Sequence, residues 1–352
     1  MTRSIVHAVS TLQIGGAERF VIDLCAEQKK NGWHPTILSY GTTDDPLVDV
    51  CHKAGISVLT AGQGRLKQFS TAFVLLRSAV VVHIHSPGAL RPLSVILPFL
   101  GRRTVIYTRH GADPLVEKRW KLVHQVARLF VDVVTFVSSE SATVFHRQHG
   151  WSHHRSQVIE NGVSIPEKCT ARTRNEEFHI GIVGRMVPLK RHITLLEAMK
   201  HLAPKERDLL KIHLFGDGEC KEELQHFHDQ HLRSMDVRFY GNITDRSMIY
   251  SNLDLLIVTS QTEGLSIAIL EAMAQGIPVF ATRVGGNERL VQDNITGRLF
   301  DYDDSTTLSQ LLVNTLRSPE LLTTWGENAR QHVATNFSLR KTAKEYDEIY
   351  IK

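Results

Sequence analysis

The chain has 352 residues, too many for one small domain and enough for two of ordinary size. Hydrophobic residues make up 42% and charged residues 22%, which excludes disorder, collagen and coiled coil. Lys plus Arg is 41 and Asp plus Glu is 37; the net charge of +4 does not point to nucleic acid, though it suits an anionic ligand or membrane surface.

Strand-like and helix-like runs alternate from the start. Residues 4–9 read as strand, 17–31 as helix, 35–40 as strand, 46–54 as helix and 57–59 as strand. Helix 68–78, strand 80–85, strand 104–108, helix 116–129, strand 133–137 and helix 139–149 follow. Strands apolar on both faces, joined by helical crossovers, are what a buried parallel sheet requires. The pattern pauses at 166–177, where charge replaces bulk, and this stretch reads as a linker. A second series then begins: strand 179–183, helix 193–201, strand 211–215, helix 220–231, strand 237–240 and helix 245–251. It continues with strand 253–259, helix 265–275, strand 278–281 and helices 305–316 and 319–335. Two such series predict two doubly wound α/β domains, at 1–165 and 178–337. Ligands bind such sheets outside the carboxyl ends of the strands, so a cleft is expected where the two domains face each other.

No apolar run reaches the roughly 18 residues of a membrane span. The best, 79–84, reads as a buried strand, and the N-terminus runs straight into a strand rather than a signal peptide. A cytoplasmic chain is expected, with peripheral contact on the inner face of the cytoplasmic membrane as an added expectation. Cys25, Cys51, Cys169 and Cys220 form no CxxC pair and read as reduced thiols.

Five loops carry candidate chemistry. In Ser260-Gln-Thr-Glu-Gly-Leu-Ser-Ile-Ala-Ile-Leu-Glu271 a strand ends, a loop turns and a helix begins. The free N–H groups of that first turn can bind an anion. Glu263 and Glu271 flank the turn and could accept hydrogen bonds from sugar or ribose hydroxyls. A capping role for Glu263 and a solvated helix face for Glu271 are the plain alternatives. Gly184-Arg-Met-Val-Pro-Leu-Lys190 follows the first strand of the second domain, where Gly184 permits close approach and Arg185 and Lys190 suit phosphate oxygens. Gly15-Gly16, Thr108-Arg-His110-Gly111 and Gly285-Gly-Asn-Glu288 occupy comparable places after other strands. A lone histidine such as His110 is more often structural than functional. The convergence of these loops on strand ends is worth more than any one of them.

Other patterns look empty. Gly216-Asp-Gly-Glu219 falls short of a nicotinamide fingerprint, and neither a Walker A loop nor a GxSxG elbow occurs. Among 19 histidines, His83-x-His85, His153-His154 and His226-x-His228 lack carboxylates to complete a metal site. Asp301-Tyr-Asp303-Asp304 sits in a polar turn before a helix, where capping explains it. The basic segment 117–130 carries an apolar stripe at Trp120, Val123, Ala127 and Phe130, read either as a core-facing helix or as a membrane-surface helix. Arg65, Lys67, Arg91, Arg102 and Arg103 add positive charge to the first domain.

In this order the segments resemble the retaining glycosyltransferases of family 4, which have the GT-B fold. The resemblance covers nearly the whole chain. Gly15-Gly16-Ala17-Glu18 matches the family's first glycine loop and Asn161-Gly162-Val163 its NG-hydrophobic signature. Gly184-Arg185 with Lys190 matches the diphosphate loop, Glu263 to Glu271 the E-x7-E signature, and Gly285-Gly286 with Glu288 the segment after it. The resemblance implies that Arg185 and Lys190 neutralise the donor diphosphate, and that Gly184, Gly264, Leu265 and Ser266 bind it through the backbone. It implies that Glu263 and His110 contact the donor sugar, Glu271 the ribose, and Gly16 the diphosphate from the first domain. It implies a UDP- or GDP-sugar donor, no required metal or other cofactor, and a glycan or polyprenyl-diphosphate-linked acceptor in surface polysaccharide synthesis. It also implies that the last helix, within 338–352, packs back on the first domain. Leu265 stands where the family commonly has an aromatic residue, and Ser266 and Ile267 depart from the usual pattern too. A sugar-nucleotide epimerase of the same fold and a non-catalytic nucleotide-sugar-binding regulator remain as alternatives.

Overall fold

The computed structural model describes residues 3–111, 117–167 and 177–351. Within these, the chain divides into two units, 1–162 with 339–352, and 163–338. Cys169, most of the expected linker and the first residue of the helix expected at 116–129 lie outside the described residues.

The first unit contains β1 (Ser4–Val9), α1 (Gly16–Lys30), β2 (His34–Ser39), α2 (Val48–Lys53), β3 (Ser57–Thr60), α3 (Arg65–Ser78) and β4 (Val81–Ile84). It continues with α4 (Pro87–Ile96), β5 (Thr104–Arg109), α5 (Lys118–Ala127), β6 (Val133–Phe136), α6 (Ser139–His149) and β7 (Ser156–Val158). All seven strands are parallel, in the order β3-β2-β1-β4-β5-β6-β7. Crossovers therefore leave β1 in one direction and β4 in the other, so the strand order reverses between them.

The second unit contains β8 (Phe178–Val183), α7 (Ile193–Lys200), α8 (Pro204–Arg207), β9 (Leu210–Phe215), α9 (Lys221–His231), β10 (Asp236–Gly241) and α10 (Arg246–Tyr250). Then come β11 (Leu255–Val258), α11 (Ile267–Ala274), β12 (Val279–Thr282), α12 (Asn287–Leu290), β13 (Gly297–Phe300), α13 (Ser305–Arg317) and α14 (Glu320–Asn336). Its six parallel strands run β10-β9-β8-β11-β12-β13, with the reversal between β8 and β11. The last helix, α15 (Leu339–Tyr350), belongs to the first unit and packs on α1.

Local chemistry sets the helix ends. Ser138 caps α6 by accepting the Ser141 N–H, and Gly150, left-handed at φ 60°, stops it. Glu18 in the first turn of α1 and Lys29 and Lys30 in its last turn complement the helix dipole. α4 has no counterpart among the elements expected from the sequence, and it carries prolines at 87 and 92. Ser86 in fact caps the helix at the Ala89 N–H, and Pro87 occupies the first turn, where no N–H is needed. The short strands β7 and β13 and the helices α8 and α12 were missed as well.

The two faces of the first sheet differ. One is apolar: Val6, Ala8, Val82, Ile84, Tyr107, Val134 and Phe136 pack against α3, α4 and α6 residues. The other carries His7, His83, Thr108 and Thr135, all fully buried. His7 and His83 are direct partners in register, as are Thr108 and Thr135. α1 supplies Gln28 to this polar face, and α15 supplies Tyr346 and Tyr350. α15 buries Leu339, Thr342, Ala343, Tyr346, Ile349 and Tyr350 at helical spacing. At about 1.5–3 kcal/mol for each large apolar side chain buried, this helix is integral to the first unit.

Candidate active site

The loop after β8 carries Gly184, Arg185 and Lys190. It returns across the end of the sheet to the loop after β11. The Thr259 hydroxyl donates to the Lys190 carbonyl at 2.8 Å, and the Gln261 N–H donates to the Leu189 carbonyl at 2.8 Å. These bonds bring the two loops together, and Lys190 Nζ meets Glu263 Oε1 at 2.5 Å. The Ser260 hydroxyl donates to the same carboxylate oxygen at 2.7 Å. Glu263 is therefore not a helix cap; its side chain is 10% exposed and held by a cation and a hydroxyl. Arg185 is exposed and has no ion pair among the described residues.

Lys190 is followed by Arg191, which sits in the left-handed region at φ 49°. Arg191 is clamped by two bonds to Asp303, Nε to Oδ1 at 3.0 Å and NH2 to Oδ2 at 2.8 Å. This pair holds the Asp303 carboxyl below its usual range. The sequence reading gave the whole Asp301–Asp304 turn to capping. Asp304 does cap α13, accepting the Thr307 N–H at 2.9 Å, whereas Asp303 anchors the lysine loop. Only a contact across 112 residues distinguishes the two, and spacing could not supply it.

α11 begins at Ile267, two residues later than expected, with Ser266 as its N-cap. Among the described residues, no acceptor takes the N–H groups of Gly264, Leu265 or Ser266. Three orphan donors thus stand at a helix start, next in sequence to Glu263, the partner of Lys190. Gly286 packs on this turn: its N–H donates to the Glu263 carbonyl at 3.2 Å, and a Cβ there would overlap the Gly264 carbonyl oxygen. The requirement at Gly286 is close approach, since its φ of −68° suits any residue.

Leu265 and Ser266 are buried, and so is Glu271 in the second turn of α11. Glu271 is not a solvated helix charge. Its Oε2 accepts from the Tyr250 hydroxyl at 2.7 Å, and its Oε1 lies 2.7 Å from Arg246 Nε.

Gly16 and His110 belong to the first unit. Gly16 opens α1, and Phe20 one turn later meets the His110 ring edge-on at 5.6 Å. His110 follows β5. Its Nε2 lies 3.1 Å from His85 Nδ1, while its Nδ1 is buried and has no partner among the described residues. Burial and the neighbouring Arg109 lower His110 to about 3, so the ring is neutral at ordinary pH. His83 and His85 join His7 in a buried group in which one ring nitrogen of each lies within 4.8 Å of the others. The available signal was their spacing, since His83 and His85 fall on one face of a strand.

Comparison with known proteins gives a consistent result. A family model for glycosyl transferases group 1 matches residues 168–332, and one for glycosyltransferase family 4 matches residues 14–166. An Escherichia coli UDP-Gal:alpha-D-GlcNAc-diphosphoundecaprenol alpha-1,3-galactosyltransferase is 26% identical, over 77% of this chain and 75% of its own. A Campylobacter jejuni N-acetyl-D-galactosaminyltransferase acting on a diphosphoundecaprenol-linked glycan is 21% identical over 99% of this chain and 96% of its own. Among solved structures, Anabaena HepE in complex with UDP-glucose superposes with a TM-score of 0.84 at 22% identity, covering 98% of each chain. Two parallel-sheet Rossmann-like domains are the GT-B fold of these structural neighbours.

Proposed function

The chain belongs to the group 1 glycosyltransferases, and from that premise we propose that it moves a sugar, with retention, from a UDP- or GDP-sugar to a glycan or lipid-linked oligosaccharide acceptor in surface polysaccharide synthesis. One observation carries the donor side: three unpaired N–H groups at Gly264–Ser266 adjoin the Lys190–Glu263 pair at a strand end. Orphan N–H groups beside cations form a site for a diphosphate, the leaving group of such donors. HepE, solved with UDP-glucose, supports a uridine donor.

In this reading the second unit binds the donor and the first the acceptor. Gly184, Gly264, Leu265 and Ser266 offer backbone to the phosphates; Arg185 and Lys190 take up the charge that builds on the departing diphosphate. With two cations and a helix start in those roles, the reaction needs no divalent metal. Glu263 holds Lys190 and turns its second oxygen to the donor sugar. Glu271, anchored by Tyr250 and Arg246, faces the ribose. Gly16 approaches the diphosphate and His110 the sugar from the first unit. No carboxylate nucleophile is assigned.

A specific observation favours an acceptor at a membrane. The stripe Val123, Ala127 and Phe130 of the α5 segment does pack inward on the core. Other apolar side chains of the first unit stand exposed: Leu66 is 88% exposed, Leu129 71%, Phe99 66% and Leu122 63%. Leu66 lies on α3 and Leu122 on α5, while Phe99 and Leu129 follow α4 and α5; α3 packs against α4 and α4 against α5. No acidic residue falls in the sequence between Asp49 and Asp113, whereas Arg65, Lys67, Arg77, Arg91 and Arg102 do. Apolar side chains rimmed by cations suit an anionic bilayer surface. No helix among the described residues is long and apolar enough to cross a membrane. Both bacterial relatives are named for undecaprenol-linked acceptors.

The test offers UDP- and GDP-sugars with a polyprenyl-diphosphate-linked N-acetylglucosamine in anionic vesicles. An α-linked donor should give an α-linked product by NMR. A β-linked product would overturn retention, and turnover of donor to an epimer without acceptor would overturn transfer.

A further inference from the structure

The polar face of the first sheet is wired in one direction. Gln28 Oε1 lies 2.8 Å from His7 Nε2, His7 Nδ1 lies 2.8 Å from His85 Nε2, and His85 Nδ1 lies 3.1 Å from His110 Nε2. An amide oxygen can only accept, so His7 donates from Nε2. A neutral imidazole carries one proton, so His7 Nδ1 accepts and His85 donates from Nε2. The same rule passes on: His85 Nδ1 accepts, His110 donates from Nε2, and His110 Nδ1 keeps its lone pair.

A second branch leaves the same amide. Gln28 Nε2 donates to the Tyr350 hydroxyl at 3.1 Å, the Tyr350 hydroxyl lies 2.8 Å from His83 Nδ1, and His83 Nε2 lies 2.6 Å from Thr108 Oγ1; these hydroxyls both donate and accept, so this branch suits either tautomer of His83. The branch continues to Thr135, whose hydroxyl is 2.5 Å from that of Thr108, and to the Tyr346 hydroxyl, 3.4 Å from Thr108 and 3.5 Å from Thr135. Each ring nitrogen of His7, His83 and His85 therefore has a partner.

We propose that Gln28, through His7 and His85, holds His110 as the neutral Nε2–H tautomer, so that its buried Nδ1 accepts a hydrogen bond from a hydroxyl of the donor sugar. The tautomer stands on the hydrogen bonds alone; its use at a sugar rests on the glycosyltransferase reading above. Gln28, His7 and His85 are positioning residues, and His110 makes the contact. A hydroxyl can donate to an unprotonated nitrogen, and a neutral ring places no positive charge near an anomeric carbon that itself becomes positive as the glycosidic bond breaks. Burial keeps the whole chain neutral: His7 is lowered to about 4, and His83 and His85 fall well below the ordinary imidazole range.

A metal at His7, His83 and His85 is the competing use. Two nitrogens on a tetrahedral zinc, each at about 2.0–2.1 Å, lie about 3.4 Å apart. The 2.8 Å between His7 and His85 is a hydrogen-bond distance instead.

The experiment is nitrogen NMR of the full chain with ¹⁵N-histidine, the rings assigned by loss of signals in His85→Asn and His110→Asn. His7, His85 and His110 should all show a protonated Nε2 and an unprotonated Nδ1. A protonated Nδ1 at His110, which a reversed Gln28 amide would produce, overturns the proposal, as do ring signals that move when EDTA is added. Gln28→Met then tests the use. Its affinity for UDP-glucose should fall about tenfold, the worth of one hydrogen bond, with affinity for UDP unchanged. Gln28→Glu, which keeps an acceptor oxygen, should restore it. Equal loss for both ligands, or no loss, overturns the positioning role. Should Gln28→Met not fold, the wild-type spectrum alone decides the tautomer. No binding of either ligand to the wild type would refute the donor reading while leaving the tautomer measurable.

Discussion

Lys190→Met separates the fold from the chemistry. At 2.5 Å and an effective dielectric of about 20, the direct attraction between Lys190 and Glu263 is about 7 kcal/mol, most of it offset by the cost of taking both groups from water. The lysine side chain is 28% exposed and the glutamate 10%, so removing the cation strands a carboxylate that keeps only the Ser260 hydroxyl. A fully buried pair loses about 3–5 kcal/mol on such truncation, and this half-open one should lose about 2–3. For a unit of this size that is about 4–12 °C in the melting temperature. Lys190→Met with Glu263→Gln should recover most of it, because no charge is left unpaired. Activity should behave differently. Both the single and the double variant lack the cation at the leaving group, and turnover should be about 100- to 1,000-fold lower in each. Calorimetric melting paired with release of nucleoside diphosphate reads both quantities. Recovery of turnover along with stability in the double variant would refute the phosphate role of Lys190, and an unchanged melting temperature in the single variant would refute the pair's structural weight.

The buried histidines predict acid sensitivity. Their folded-state values lie below 6.5, at about 4 for His7 and about 3 for His110, so the unfolded chain binds more protons in between. Stability of the first unit is therefore fully present above pH 6.5 and falls as pH drops from 6.5 toward 3, by a few kcal/mol in all; urea titrations at pH 7, 5.5 and 4.5 should show it, and a flat profile would contradict neutral burial. Gly286→Ala should cost about 1–3 kcal/mol, because its Cβ has no room against the Gly264 carbonyl. The same variant should lose nucleotide binding in a thermal-shift assay, and normal binding would detach this glycine from the site.

The alternation of strands and helices was plain in the sequence because parallel strands buried on both faces are runs of Val, Ile and Leu, as in Leu255–Val258. Candidate loops were legible because they follow such runs. What spacing could not show was how side chains from distant segments meet. Gln28 and Tyr350 are 322 positions apart, yet together they satisfy the histidines of β1 and β4. Without those partners, His83 and His85 look like unfinished metal ligands rather than members of a hydrogen-bonded face. Asp303 was misread for the same reason, its partner Arg191 lying on another loop. Spacing alone leaves Glu271 open to a solvated helix face, because its partners Arg246 and Tyr250 lie on another helix.

The proposed transfer depends on a diphosphate site at Lys190, Arg185 and the start of α11 that works without a metal. Thermal stability with UDP, GDP and ADP, each with and without EDTA, tests it most directly. One nucleotide, present at 100 times its dissociation constant, should stabilise the protein by about 2.7 kcal/mol with no change on adding EDTA. Loss of that stabilisation with EDTA, or no stabilisation by any of the three, would contradict the account.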